Sequence, residues 1–288
     1  MWTGPLLALL LQVALACGAA LLARRAKPVA LVLCAASFLG APWLAGPIPL
    51  LRATSALLGW VSMFRIVDLV RFRQPWSASR RLLHVASLVD SRTLHRAPPR
   101  IDLLAVGRAL LWAALAVAGL YVARSPQPLA RWGSGLVLAY AGVEAIYAVV
   151  FAAYRAIGFV TPRLHVWPVA SLSIAELWGA RWARPVSTWL RETCFRPLAR
   201  RGHPALGVVL GFVVSAVGHA YPALVAVGPQ MAAMMFAFFF TQGIFVILEA
   251  RLGAARWPRA ARRAWTVTIM LASSPLFVEP ALRTLGVP

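Results

Sequence analysis

Eight apolar runs alternate with short basic segments along this chain: Pro5–Ala23, Val29–Gly46, Pro49–Val70, Ile101–Ala123, Trp132–Ala153, Ala205–Val227, Met231–Ala250 and Ala264–Leu282. Each approaches the ~20 residues that cross a hydrocarbon core, so the pattern predicts eight spanning helices. Prolines interrupt the second and third runs. A longer stretch from Arg155 to Pro204 separates the fifth run from the sixth. There, helical spacing places Trp178, Trp182 and Trp189 on one aromatic stripe, with Arg181, Arg184 and Arg191 able to reach headgroups or anionic ligands. That segment reads as an interfacial or re-entrant helix. The expected fold is all-α, a polytopic transmembrane helical bundle forming a single domain over residues 1–288, with N-terminal spans and a basic loop in 1–100 and the motif-bearing region in 171–288.

Composition agrees with this class. The chain is 61% hydrophobic and 13% charged, with a mean hydropathy of +0.75. Soluble domains are about 45–50% apolar and about 25% charged. A formal net charge of +21 raises the possibility of nucleic acid, but the basic residues fall between apolar runs instead of forming one patch, and no nucleic-acid partner is expected. Their distribution reads as topology. Segments assigned outside hold only Arg52, Arg124, Arg131 and Arg283, and Arg65 and Arg108 lie within spans. Every other basic residue falls in a loop assigned inside, including Arg73 between the third and fourth runs. By the positive-inside rule both termini face outward and the basic loops face the cytosol. The first run has its basic residues, Arg24, Arg25 and Lys27, after it, the reverse of a signal peptide. The expectation is a multi-pass protein of a bacterial cytoplasmic membrane or the endoplasmic reticulum. Cys17, Cys34 and Cys194 give no disulfide framework and no metal-ligand spacing.

The polar residues inside the spans carry the candidate chemistry, because ionisable groups in hydrocarbon are costly unless they face protein or water. His219 lies deep in the sixth run, and Ser215, Gly211 and Gly207 precede it by four, eight and twelve residues on the same helical face. Small residues at that spacing admit close packing, which turns His219 inward. The competing reading is an imidazole that hydrogen-bonds a neighbouring helix. Glu144, flanked by Tyr140 and Tyr147, either lines a cavity or pairs structurally with Arg108 or a tyrosine hydroxyl. Arg65 and Asp68, three residues apart, read as a local pair. Glu176 either orients Arg181 or His219 or is solvated on an amphipathic helix.

Ser171-Leu-Ser, Glu176-Leu-Trp-Gly-Ala-Arg-Trp182, Phe195-Arg-Pro-Leu198 and Ser215-Ala-Val-Gly-His219, with 37 positions between Trp182 and His219, together resemble the wax-synthase-like branch of the membrane-bound O-acyltransferases. That family shows a Phe-Trp-Gly-Arg-Arg-Trp-Asn-like cytosolic segment followed by a helix with Ser-Gly-x-x-His. The resemblance covers Ser171 to the C-terminus. It departs at Leu177 for Phe, at Ala180 for the first Arg, and at Ala183, where many members have Asn or His. The resemblance implies transfer of an acyl group from acyl-CoA, as co-substrate with no other cofactor and no metal, to the hydroxyl of a hydroxylated lipid or other lipophilic alcohol. It implies His219 as general base, with Glu176, Trp178, Arg181, Trp182, Arg184 and Ser215 around the substrates; Glu144 joins these substrate-binding candidates by its place inside a span, outside the resemblance.

Three other classes compete. Trp132-Gly-Ser-Gly135 only faintly resembles the nucleophile motif of intramembrane serine proteases. Asp68, Asp90 and Asp102 are scattered along the chain, unlike the acidic Mg²⁺-binding clusters of prenyltransferases. A non-catalytic transporter or lipid-binding protein is the main alternative, and flux without acyl transfer distinguishes it.

Overall fold

The structure, a computed structural model, describes residues 3–71 and 75–288. Arg73, assigned to an inside loop, and Met1 lie outside the described residues. All eight expected spans are helices long and apolar enough to cross a membrane. They are α1 (Thr3–Leu22), α2 (Lys27–Gly40, continued by a 3-10 turn Ala41–Leu44), α3 (Pro49–Arg71), α5 (Leu103–Val122), α6 (Pro128–Ala156), α10 (Pro204–Val227), α11 (Pro229–Arg251) and α12 (Arg259–Thr284). Between α3 and α5 lies the short helix α4 (Ala78–Ala86). The protein is an all-α bundle whose only described strands, β1 (His95–Arg96) and β2 (Phe159–Val160), pair antiparallel.

Prolines set several helix starts. Pro42, Pro128, Pro204 and Pro229 occupy first-turn positions, where a missing N–H costs nothing. The second run therefore ends its α-helix at Gly40 and continues as a tighter turn through Pro42.

Three packed units position the site. Helices α1, α2 and α3 close on one another through Ala16, Ala19, Ala20, Ala23 and Ala30 around Ile66 and Leu69, with Val85 of α4 beneath. Helices α5 and α6 form a hairpin, as do α10 and α11, and α12 packs against α6 and α11. Large apolar side chains such as Leu103, Leu104 and Leu110 face outward, as a lipid-facing surface requires.

The charged residues at the end of α3 correct one expectation. Arg65 lies 3.7 Å from Asp90 rather than pairing with Asp68. Asp68 is taken by Arg92 and by the Trp189 indole N–H at 3.0 Å. The loop after α4 thus supplies a guanidinium that reaches both carboxylates, and Arg92 also donates to Asp90. Asp68 and Asp90, distant in sequence, are brought together, whereas Asp102 caps α5 by accepting from the Ala105 amide. Among the described residues no group of His, Cys, Asp and Glu is arranged to hold a metal ion. His84 sits fully buried beside the cluster, its Nδ1 2.8 Å from Ser91 Oγ. Burial and the nearby Arg65 push its pKa down from 6.5 to about 4, against the pull of Asp90.

Candidate active site

The segment from Ser171 to Ala199 is not one helix, which corrects the expected single aromatic stripe. It breaks into α7 (Ile174–Glu176), a π-helical turn Leu177–Arg181, α8 (Arg184–Leu190), a second π-helical turn Arg191–Phe195, and α9 (Arg196–Ala199). The first break falls at Ala183, which takes a left-handed conformation with φ 41° and ψ 49°. Pro185 follows at the start of α8, and its ring prevents the preceding helix from running through. Trp178 and Trp182 therefore face one cavity, while Trp189 turns the other way, onto Phe64 at a centroid distance of 4.3 Å.

Polar side chains from distant spans pin this segment. Ser173 accepts from the Glu176 amide at 2.9 Å, and Glu176 in turn accepts from the Leu172 amide at 2.8 Å, a Ser-x-x-Glu cap. The orphan amides of the first turn of α7 meet a carboxylate from α11: Glu249 accepts from Ile174 at 2.7 Å and Ala175 at 3.2 Å. Glu249 also accepts from the Trp265 indole at 3.0 Å. The Trp178 indole donates to Gln242 at 3.3 Å, and Gln242, fully buried, donates to Ser273 at 2.9 Å. At the other end Arg71 donates to Thr193 Oγ1 and to the Glu192 carbonyl.

A cavity of about 340 Å³ lies between this segment and α10. Trp178, Gly179, Trp182 and Ala183 form one wall, and Gly207, Gly211, Ser215 and His219 form the other. Both π-helical turns contribute, the second through Arg191 and Phe195. Widened turns of this kind recur at functional sites. Four-residue spacing on α10 serves two purposes: Gly207 packs on the Phe195 backbone, where a Cβ would lie 2.9 Å from the carbonyl oxygen, whereas Gly211 borders open space.

His219 lies half-buried on the cavity wall. Its Nδ1 is 2.8 Å from the Ser215 carbonyl, an acceptor, so Nδ1 carries the hydrogen and donates it. In the neutral ring the lone pair then resides on Nε2. Nε2 has no hydrogen-bond partner among the described residues, yet it is not sealed, unlike the Nε2 atoms of His84 and His165. Phe239 stacks on the ring at 4.0 Å and 29°, fixing its plane. Among the described residues that line the cavity, His219 and Arg191 are the only titratable ones.

The other expected site residues divide. Trp178, Trp182 and Ser215 line the cavity with His219. Glu176 does not reach it; its carboxylate accepts from Arg181 Nε at 2.6 Å. Burial alone raises that carboxyl's pKa, but the Leu172 amide and the Arg181 guanidinium outweigh it and hold Glu176 below the usual glutamate value. Arg181 is further occupied by the Val166 and Trp167 carbonyls, and Arg184 is exposed outside the lining. Glu144 is also outside: it accepts from His165 Nδ1 at 2.9 Å, and the His165 ring packs, tilted, against Trp182 at a centroid distance of 4.1 Å. Glu144 thus supports the wall at one remove, through His165, and it also interacts with the Tyr140 hydroxyl, the tyrosine pairing expected as an alternative to Arg108.

Sequence reasoning missed His165, Gln242 and Glu249. Glu249 and Gln242 were detectable as polar residues seven apart inside an apolar run, on one helical face. Nothing in its neighbours marks His165 as the partner of Glu144. Comparison with protein-family models gives no match for this chain, and comparison with curated proteins gives none either.

Proposed function

We propose that this protein is a membrane-bound acyltransferase that moves an acyl group from acyl-CoA to the hydroxyl of a lipophilic alcohol, with His219 as general base. The observation that carries this reading is the unpartnered Nε2 of His219 on a largely apolar cavity, opposite the Trp178–Trp182 segment. The substrate hydroxyl donates its hydrogen to Nε2, and its oxygen attacks the thioester carbon as the proton passes to the imidazole. When the tetrahedral adduct collapses, the C–S bond breaks, the ester forms, and the imidazolium returns the proton to the departing thiolate. Ser215 holds the ring in the required tautomer throughout. The apolar lining keeps out water that would otherwise compete as acceptor.

Arg191, the one guanidinium on the cavity wall, is the best-placed group to meet a CoA phosphate by charge-assisted hydrogen bonds. Arg181 holds Glu176 and the loop instead. In this reading the basic loops face the cytosol, where acyl-CoA is available, and the acceptor enters from the lipid. The test is transfer itself: purified full-length protein, supplied with acyl-CoA and a panel of lipophilic alcohols, releases CoA and forms ester, and cells expressing it accumulate that ester in an untargeted lipid comparison. No ester from any thioester and alcohol pair, together with substrate flux in proteoliposomes, would replace this reading with a transporter.

A further inference from the structure

The loop that follows β2 turns a corner whose backbone and exposure are both unusual. Trp167 holds a left-handed conformation, φ 49° and ψ 60°, which a bulky side chain seldom adopts. Pro168 follows and disfavours the right-handed helical alternative. The corner is nonetheless fixed. The Trp167 carbonyl accepts from the Ala170 amide at 2.9 Å and from Arg181 Nη1 at 3.3 Å, Ser171 Oγ donates to the Pro168 carbonyl at 2.7 Å, and Arg263 Nη1 donates to the Val169 carbonyl at 3.2 Å. This frame turns two apolar side chains out: Trp167 is 73% exposed, the most of any described tryptophan, and Val169 is 76% exposed. Strain that the surroundings hold in place clusters at ligand-binding positions. The surface is separate from the cavity that His219 lines, since neither Trp167 nor Val169 borders that cavity.

Three guanidinium groups surround the corner. Arg163 precedes Leu164, whose carbonyl accepts from the Arg184 amide at 2.9 Å, so these two arginines come together, and Arg263 reaches Val169 from α12. All three are exposed, and none forms an ion pair among the described residues. Glu176, on the same segment, is already held by Arg181 at 2.6 Å. The position of the corner identifies what covers it. Arg263 lies in the second turn of α12, so Val169 is level with the start of a helix long and apolar enough to span, where hydrocarbon gives way to water. Tryptophan favours that depth, and cations beside it attract anionic lipid. We propose that the Trp167–Val169 corner docks an anionic phospholipid of the leaflet that the basic loops face, with the indole at headgroup depth and Arg163, Arg184 and Arg263 against the negative charge. Because Arg181 holds the Trp167 carbonyl and its own carbonyl accepts from the Val166 amide at 2.8 Å, the docked lipid also braces the π-helical turn that carries Trp178.

Trp167 is one of twelve tryptophans, so its signal is the difference between wild type and Trp167→Phe. Full-length protein is placed in phosphatidylcholine nanodiscs containing rising mole fractions of either phosphatidylglycerol or phosphatidylcholine brominated at the headgroup end of the acyl chains, and tryptophan emission is recorded. Both lipids quench the Trp167 component, and brominated phosphatidylglycerol does so at roughly tenfold lower mole fraction. Replacing Arg163, Arg184 and Arg263 together with Gln erases that preference, each single replacement reduces it about twofold, and high salt mimics the triple variant. Phosphatidylglycerol raises the unfolding temperature of wild type and not of the triple variant. If Trp167→Phe does not fold, Trp167→Gly, which favours the left-handed backbone, supplies the reference. A Trp167 component that neither lipid quenches puts the corner in water and leaves a soluble protein as its occupant. That result overturns the proposal, as do equal quenching by the two lipids, a preference that survives the triple replacement, and an equal rise in unfolding temperature for both proteins.

Discussion

Replacing His219 with glutamine isolates proton transfer from packing. Glutamine keeps a hydrogen-bond donor within reach of the Ser215 carbonyl, which His219 Nδ1 meets at 2.8 Å, but it takes no proton at neutral pH. A hydrogen bond of this kind contributes about 0.5–1.5 kcal/mol, so the folded protein changes by roughly that amount or less. Its catalytic consequence is larger, because no other side-chain base lines the cavity among the described residues. Losing a positioned acid–base group lowers rate by roughly 10²–10⁴-fold, about 3–5 kcal/mol of barrier.

The assay is CoA release under saturating alcohol, with monodispersity in detergent as the folding control. His219→Gln lowers kcat and leaves the apparent KM for acyl-CoA unchanged, the signature of an interaction made in the transition state. His219→Ala is equally slow and also loses the Phe239 stack. If His219→Gln keeps full rate while His219→Ala misfolds, the imidazole is a packing residue and the transferase reading loses its main support.

Other expectations follow from the same geometry. Arg191→Gln raises the apparent KM for acyl-CoA severalfold and high salt mimics it, whereas Arg181→Gln lowers yield of folded protein by freeing Glu176; equal effects of the two on KM would remove Arg191 from the donor site. His84, held neutral by burial with a pKa of about 4, contributes stability that is complete above its unfolded value near 6.5 and lost as pH falls toward 4. The shift corresponds to about 3 kcal/mol at most, so the unfolding temperature of wild type drops over that window more than that of His84→Gln, and parallel curves would refute the assignment. Ala183, left-handed at φ 41°, bears a strain of about 1–2 kcal/mol that Gly and Asn avoid. Ala183→Gly and Ala183→Asn raise the unfolding temperature and Ala183→Val lowers it, while an unchanged value for all three would show that the strain is absent. Tags at Met1 and Pro288 both lie outside and one within residues 80–99 lies inside; termini on opposite sides by protease protection would refute the sidedness.

The spans were legible because lipid demands continuous apolar runs, and that pattern is local in sequence. Even the proline-broken second run resolves as a helix with a terminal tight turn. The segment between the fifth and sixth spans was legible as helical but not in shape. Helical periodicity over Ser171 to Leu190 treats every residue as right-handed, and a single left-handed alanine before Pro185 redirects Trp189 away from Trp178 and Trp182. Partner choice among buried charges was also hidden. Spacing alone pairs Arg65 with Asp68, but the loop residue Arg92 reaches Asp68 from 24 positions away, and no periodicity encodes that contact.

Ala183 changes what the departure from the O-acyltransferase pattern means. A polar residue at this position admits a catalytic role, yet the backbone here is left-handed, and asparagine is among the few residues that tolerate that conformation. Conformation alone therefore accounts for an asparagine at such a corner, and its replacement by alanine removes a local backbone fit without removing a proton carrier. The cavity retains its one imidazole, and the wall that faces it is held by Glu249, Gln242 and the Glu144–His165 pair. Each of these carboxylates or amides comes from a different part of the chain than the tryptophans it supports. A site built this way tolerates change at the corner but not at its anchors, so under the proposed acyl transfer Gln242→Ala and His165→Ala lower the rate more than any substitution at Ala183, and equal losses in a transfer assay would refute this ranking.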